Sequence, residues 1–207
     1  MSPSLRHPLA ESPYLQGVRR LPYVAFVEDA LSGELCDALV ARIEAESPTV
    51  APISTGSGPV MNLDVRNNER VLFDDASLAA ELFARTRAFV PASLGGGTLV
   101  GYNERFRGYR YRGGQRFAPH FDGAYFRPDT PRGREGSQIT VLFYLNGGFG
   151  GGETNLIDYD VVIAPKKGSV LFFEHAMLHE GCAVTAGTKW VLRSDAMYWF
   201  ERSPVRP

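Results

Sequence analysis

The spacing of apolar residues changes character near residue 98. Before that point it is helical in two places. Cys36, Leu39, Val40 and Ile43 recur at three- and four-residue intervals behind Ser32, whose side chain suits an N-cap. This first helix should end near Glu46-Ser47-Pro48, because the residue before a proline is pushed out of the helical region. Asp75-Ala-Ser opens a second helix to about Phe89, with Leu78, Leu82, Phe83 and Val90 on its buried side. Leu21–Val27 reads as a strand, Ala51–Pro59 as a loop, and Asn62–Phe73 as polar first and strand-like later. Met1–Val18 has no period and reads as a loose arm, and Pro91–Gly97 reads as a turn.

From Leu99 the period is two. Strands are expected near 99–106, 108–112, 117–122, 138–146, 153–157, 160–163, 169–173, 181–184 and 188–200, with glycine-rich breaks such as Gly147–Gly152 between them. Many short strands joined by Gly and Pro turns predict a sandwich or jelly roll. The fold class is therefore mainly β with flanking helices. A support region, 1–98, precedes a β core, 99–200, and together they are read as a single domain, 1–207.

Composition narrows the functions. Apolar residues make up 44% and charged residues 22%, ordinary values for a globular chain. The formal net charge of -1 provides no global field to gather nucleic acid or an anionic membrane. No window approaches the ~20 apolar residues of a membrane span. The N-terminal stretch has Arg6, Arg19 and Arg20 but no apolar run of the secretory kind. Cys36 and Cys182 are too few to form a disulfide framework. The expected location is the cytoplasm. The sequence specifies no oligomeric state.

The chemistry concentrates at Tyr109–Asp122. On a strand His120 and Asp122 point the same way, so an imidazole and a carboxylate can take adjacent positions on one metal. His179, after the apolar strand Ser169–Phe173, offers a third ligand, and His175 is its rival. Two His and one carboxylate with the remaining positions open are the facial triad of non-haem Fe(II) oxygenases. A lone His-x-Asp is common by chance, and both histidines could be ordinary polar residues at strand ends. The ordered series, with cationic Lys189 at the start of the closing strand, argues for metal.

These residues resemble the prolyl 4-hydroxylase-like branch of the Fe(II)/2-oxoglutarate dioxygenases. The resemblance runs in order over about 99–200. It is carried by Tyr111, Gly114–Asp122, Leu142–Asn146, Gly151-Gly-Glu-Thr154, Gly168-Ser169, His179–Val184 and Gly187-Thr-Lys-Trp190. It implies a double-stranded β-helix (a cupin-like jelly roll), with His120, Asp122 and His179 as metal ligands. The cofactors implied are Fe(II), 2-oxoglutarate and O2, with ascorbate as an optional reductant. Lys189 matches the cation that faces the distal carboxylate of 2-oxoglutarate, and Tyr111 matches a supporting tyrosine. Arg193 shares the strand parity of Lys189. At ~3.3 Å per residue the two lie too far apart for equal grips on one small carboxylate, so Lys189 is the first choice; the Arg193 fork could instead take that carboxylate bidentately, or form an ion pair with Asp195 or Glu201. Related halogenases lack the carboxylate, so Asp122 implies hydroxylation of an aliphatic C–H, with release of succinate and CO2.

The substrate side is less defined. Gly123–Gly136 reads as a mobile lid with Arg127, Arg132 and Arg134 available to anions. Asn68 and Arg70, in a polar run with Asp64, Arg66 and Asn67, are further candidates. The substrate is expected to be a peptide or protein residue or a small molecule. Two alternatives use the same ligands: a Zn(II) hydrolase, with Glu180 as general base, or a non-catalytic cupin-like binding module.

Overall fold

The computed structural model of the protein describes residues 20–56 and 58–202. The arm Met1–Val18 lies outside the described residues. Two antiparallel sheets face each other. The larger one has nine strands. Its main path runs Val24–Val27, Val170–Glu174, Gly133–Tyr144, Lys189–Glu201, Arg105–Tyr111, Glu69–Asp74 and Thr49–Val50. Gly97–Tyr102 also pairs with Lys189–Glu201, and Ser93–Leu94 pairs with Gly97–Tyr102. The smaller sheet orders Val161–Ile163, Thr154–Leu156, His179–Gly181 and Phe117–His120. This is the expected jelly roll.

Period-two alternation explains both layers. Along Val24–Val27, Phe26 points between the sheets while Ala25 and Val27 point to the helices, and Leu171/Phe173 divide from Val170/Phe172 in the same way. Lys189–Glu201 runs through the middle of the large sheet and is buried from Lys189 to Tyr198. Its Trp190, Leu192 and Ala196 face the helices, and Val191 faces the cleft between the sheets. Lys189, Arg193 and Asp195 share the inner side with Val191, so charged groups are carried on the buried part of this strand.

Helices α1 (Gly33–Ala45) and α2 (Ala76–Thr86) cover the outer face. Ser32 caps α1 as expected, accepting from Leu35 N–H at 3.3 Å. Asp75 caps α2, accepting from Leu78 N–H at 2.9 Å, and its other oxygen takes Arg42 of α1 at 2.5 Å. Burial of Ile43 and Leu82 contributes about 1.5–3 kcal/mol each. Gly108 lets α1 approach closely: a Cβ there would lie 2.6 Å from Ile43 Cγ1.

Four expectations need correction, the first being that the strands expected at 99–106 and 108–112 are Gly97–Tyr102 and Arg105–Tyr111, divided at Asn103-Glu104. The loop Ala51–Pro59 contains a short hairpin, Ile53–Thr55 with Gly58–Val60. The strand expected at 138–146 begins at Gly133, and a register shift between Ser137 and Ile139 lets it pass a bulge. The lid segment is accordingly tied down: Arg127 N–H donates to Glu135 O, and Tyr125 and Ser137 exchange bonds through backbone and side chain. The expected strand 181–184 is two, His179–Gly181 and Val184–Ala186, because the chain leaves the small sheet to pair with Gly150–Gly151.

Candidate active site

The strand Phe117–His120 ends before Asp122, whose backbone N–H turns to His175 O at 3.1 Å. The opposite strand pairs His179 with His120 in register. One ligand atom from each of His120, Asp122 and His179 falls within 4.8 Å of the others. His120 Nε2 is 3.9 Å from Asp122 Oδ1, and His179 Nε2 is 3.6 Å from Asp122 Oδ2. Each imidazole directs Nδ1 at a backbone carbonyl, Ala118 O at 2.8 Å and Met177 O at 3.0 Å. That arrangement puts the proton on Nδ1 and leaves both Nε2 lone pairs directed toward Asp122. His175 is not part of this group. Its Nε2 is 3.4 Å from Asp195 Oδ1, and among the described residues neither of its ring nitrogens has a hydrogen-bond partner.

Burial makes the His120 and His179 imidazoles neutral. It pushes His120 down to about 3, with His179 adding to the shift, and it lowers His179 as well. Burial alone would raise the Asp122 carboxyl, but the Arg193 guanidinium, helped by the Thr140 hydrogen bond, outweighs it and holds the group well below the usual range. Arg193 Nη1 donates to Asp122 Oδ1 at 2.6 Å, and Thr140 Oγ1 donates to Oδ2 at 2.5 Å. Arg193 Nη2 donates to Asp195 Oδ1 at 3.0 Å. So Arg193 is committed to two carboxylates. Phe117 stacks on His120 at 3.5 Å, and Phe173 packs on His179 at 4.4 Å.

The group opens into a cleft lined by Tyr109, Tyr111, Leu142, Tyr144, Thr154, Glu180, Lys189, Val191 and Arg193 among others. Lys189 is only 3% exposed. Its Nζ donates to Gly152 O at 2.6 Å and lies 5.1 Å from the Tyr111 ring and 5.6 Å from the Tyr144 ring. Gly152, at φ 72°, permits this approach, since a Cβ there would meet Lys189 Cδ at 3.2 Å. Among the described residues no carboxylate is within ion-pair distance of Lys189, and burial brings its ammonium down to about 8. A buried cation without a counter-ion suits an acidic ligand.

Donor chemistry and cleft chemistry agree, and so do comparisons with known proteins. The model of the 2OG-Fe(II) oxygenase superfamily matches residues 106–200. The matched stretch, just under half of the chain, is thus similar to the 2OG-Fe(II) oxygenase superfamily. Within that superfamily the similarity is to prolyl 4-hydroxylases. The chain is 26% identical to prolyl 4-hydroxylase subunit alpha-2 of Gallus gallus, over 82% of this chain and 33% of that one. It is 28% identical to prolyl 4-hydroxylase 1 of Arabidopsis thaliana, over 82% and 66%. The chain thus spans a third of the length of the first of these relatives and just under two thirds of the second. The same fold is found in a viral collagen prolyl hydroxylase from Paramecium Bursaria Chlorella virus-1 solved as a 2OG complex. That match has a TM-score of 0.62, 24% identity, and covers 87% of this chain and 99% of that one. A Trichoplax adhaerens prolyl hydroxylase in complex with a hypoxia inducible factor peptide fragment matches at TM-score 0.60 and 16% identity, covering 86% and 83%. The similarity implies Fe(II), 2-oxoglutarate and O2 as metal and cosubstrates.

The sequence-proposed substrate residues fare differently. Arg127 is held by Glu104, with Nη1 at 2.8 Å, and by Glu135, with Nε at 2.9 Å; it is not among the residues lining the cleft. Asn68 is fully buried and accepts Arg66 Nε–H at 2.8 Å. Arg70 pairs across the sheet with Tyr109. Thr140 and Tyr109 were not identified from sequence. Their parity along the strands with Leu142 and Tyr111 was the available signal.

Proposed function

We propose that the protein is an Fe(II)- and 2-oxoglutarate-dependent hydroxylase of an aliphatic C–H in a peptide or small molecule, housed in one domain. The observation that carries this reading is Lys189, a buried ammonium without a counter-ion in the same cleft as the His120–Asp122–His179 group. In this reading the two Nε2 atoms and the Asp122 carboxylate hold iron. Arg193 and Thr140 keep Asp122 ionised and oriented, and Phe117 and Phe173 fix the imidazole planes. Lys189 takes the distal carboxylate of 2-oxoglutarate, with the Tyr111 ring supporting its ammonium. Leu142, Tyr144 and Val191 exclude water around them. When bound, iron and 2-oxoglutarate would supply the oxidising power: O2 is reduced, 2-oxoglutarate leaves as succinate and CO2, and one oxygen atom enters the substrate C–H bond.

A zinc hydrolase or an inert cupin-like module is not favoured, since neither has a use for Lys189. Glu180, the base such a hydrolase would want, is engaged by Asn155 Nδ2 at 2.9 Å. No helix of the described residues is long and apolar enough to cross a membrane. The cysteines are free, which suits the reducing cytoplasm proposed as the location. The test is anaerobic reconstitution with Fe(II) and 2-oxoglutarate, then exposure to 18-O2 in unlabelled water and chloride buffer with a candidate library. Labelled succinate and a product heavier by one labelled oxygen are expected. A chlorinated product, or turnover without O2 and 2-oxoglutarate, refutes the proposal.

A further inference from the structure

More positive charge surrounds Tyr109 than the metal group accounts for. Strand pairing sets Arg193 opposite Arg107, Val191 opposite Tyr109, and Tyr109 opposite Arg70. Directly opposed residues share a face of the sheet. A fourth guanidinium, that of Arg66, comes from the segment beside Phe117–His120 and lies 4.8 Å from the Tyr109 ring and 4.3 Å from the Phe117 ring.

Acceptors for these four groups are scarce. Asp195 takes Arg107 at 3.1 Å and Arg193 at 3.0 Å, and Asp122 takes Arg193 while serving the metal group. Among the described residues Arg66 and Arg70 have no carboxylate within ion-pair distance. Arg66 is only 4% exposed; its Nε is bound to neutral Asn68, and its Nη2 has no hydrogen-bond partner. Such an orphaned charged donor is destabilising unless a ligand completes it. The neighbouring phenol registers the same excess: burial would raise Tyr109, yet Arg66, Arg193 and Arg107 bring it below its ordinary value.

The position is suited to substrate. Phe117 contacts both the Arg66 guanidinium and the His120 imidazole, so one aromatic ring separates Arg66 from the metal group. Tyr109 and Phe117 line the cleft, and Arg66 packs directly behind their rings, outside the lining itself. We propose, resting on the hydroxylase reading, that Arg66 binds a carboxylate of the substrate beside Tyr109 and Arg70. The substrate is then a free acid or a peptide C-terminus rather than an internal residue of a chain. A guanidinium matches a carboxylate in plane and can donate twice. Asn68 acts as a positioning residue, holding Nε while its own Nδ2 donates to Glu69 O at 3.1 Å.

The test is equilibrium binding to the Zn(II)-substituted, 2-oxoglutarate-loaded protein, which cannot turn over. The probes are N-acetylglycine against N-acetylglycinamide, and Gly-Pro-Gly with a free against an amidated C-terminus. Acids should bind at least tenfold tighter than their amides. Tighter binding of the tripeptide acid assigns the site to a chain terminus, and tighter binding of N-acetylglycine assigns it to a free acid. Arg66→Gln should abolish the acid preference with the 2-oxoglutarate Kd within threefold of the parent, and Arg66→Lys should retain part of it. Equal binding of acid and amide by the parent protein overturns the proposal without any variant. A preference surviving in Arg66→Gln, or a tenfold rise in its 2-oxoglutarate Kd, overturns it too. Failure to load metal and 2-oxoglutarate would sink the hydroxylase reading. The acid preference measured on metal-free protein would still decide the role of Arg66.

Discussion

Replacing Lys189 by Met keeps the apolar stem and removes the charge, and it should affect ligand binding and stability in opposite directions. With 2-oxoglutarate present, the lost partner of a buried carboxylate costs about 2–5 kcal/mol. At about 1.4 kcal/mol per tenfold, the Kd should rise by roughly 30-fold to a few thousandfold. Without ligand, the ammonium is itself a burden. The drop from 10.5 to about 8 comes first from burial and, at about 1.4 kcal/mol per pH unit, is worth roughly 3 kcal/mol. The sign follows from proton binding. Below pH 8 both folded and unfolded chains carry the proton, so the penalty is fully present. Between about 8 and 10.5 the unfolded chain holds more protons, so parent stability gains from this group as pH rises. Lys189→Met should remove that gain and leave the ligand-free protein at least as stable at pH 7. In the parent, 2-oxoglutarate must restore the proton above pH 8, so its Kd should rise there and the variant should lose that dependence. Calorimetric titration with Mn(II) in place of iron from pH 7 to 9, beside urea unfolding from pH 7 to 10, measures all three effects. A variant Kd within threefold of the parent, or a parent Kd flat across pH 8, would refute the assignment of Lys189.

Other outcomes follow from the same geometry. His179→Ala should lose iron while His175→Ala keeps about one iron per chain, read by metal analysis after gel filtration. Arg193→Ala should weaken metal retention about 10–100-fold, because it releases Asp122; its 2-oxoglutarate Kd, measured at saturating metal, should move less than that of Lys189→Met. Gly108→Ala drives a methyl against Ile43 and Val71 and should cost roughly 1–3 kcal/mol in urea unfolding without altering metal stoichiometry.

Local chemistry is what the sequence could express. Ser32 and Asp75 cap their helices through bonds spanning three residues, and such bonds depend on little else. Alternation along Val24–Val27 and Lys189–Glu201 sorted the two faces of the large sheet, because side chains on a strand reverse face at every step whatever the strand packs on. His120 and Asp122 are close by spacing alone, although Asp122 lies past the strand end. Pairing between distant segments was decided only in three dimensions. His175 and His179 lie four residues apart, and the antiparallel match of His179 with His120 brought one to the metal group while the other went to Asp195. Arg193 found Asp122, and Arg127 found Glu104 and Glu135. A long charged side chain takes whichever carboxylate the fold brings within reach, and that choice is not written in its neighbours. Arg66 is the sharpest case: in the sequence it was one member of a polar run with no assigned role, and only the approach of Phe117 and Tyr109 buried it without, among the described residues, an acceptor for its Nη2.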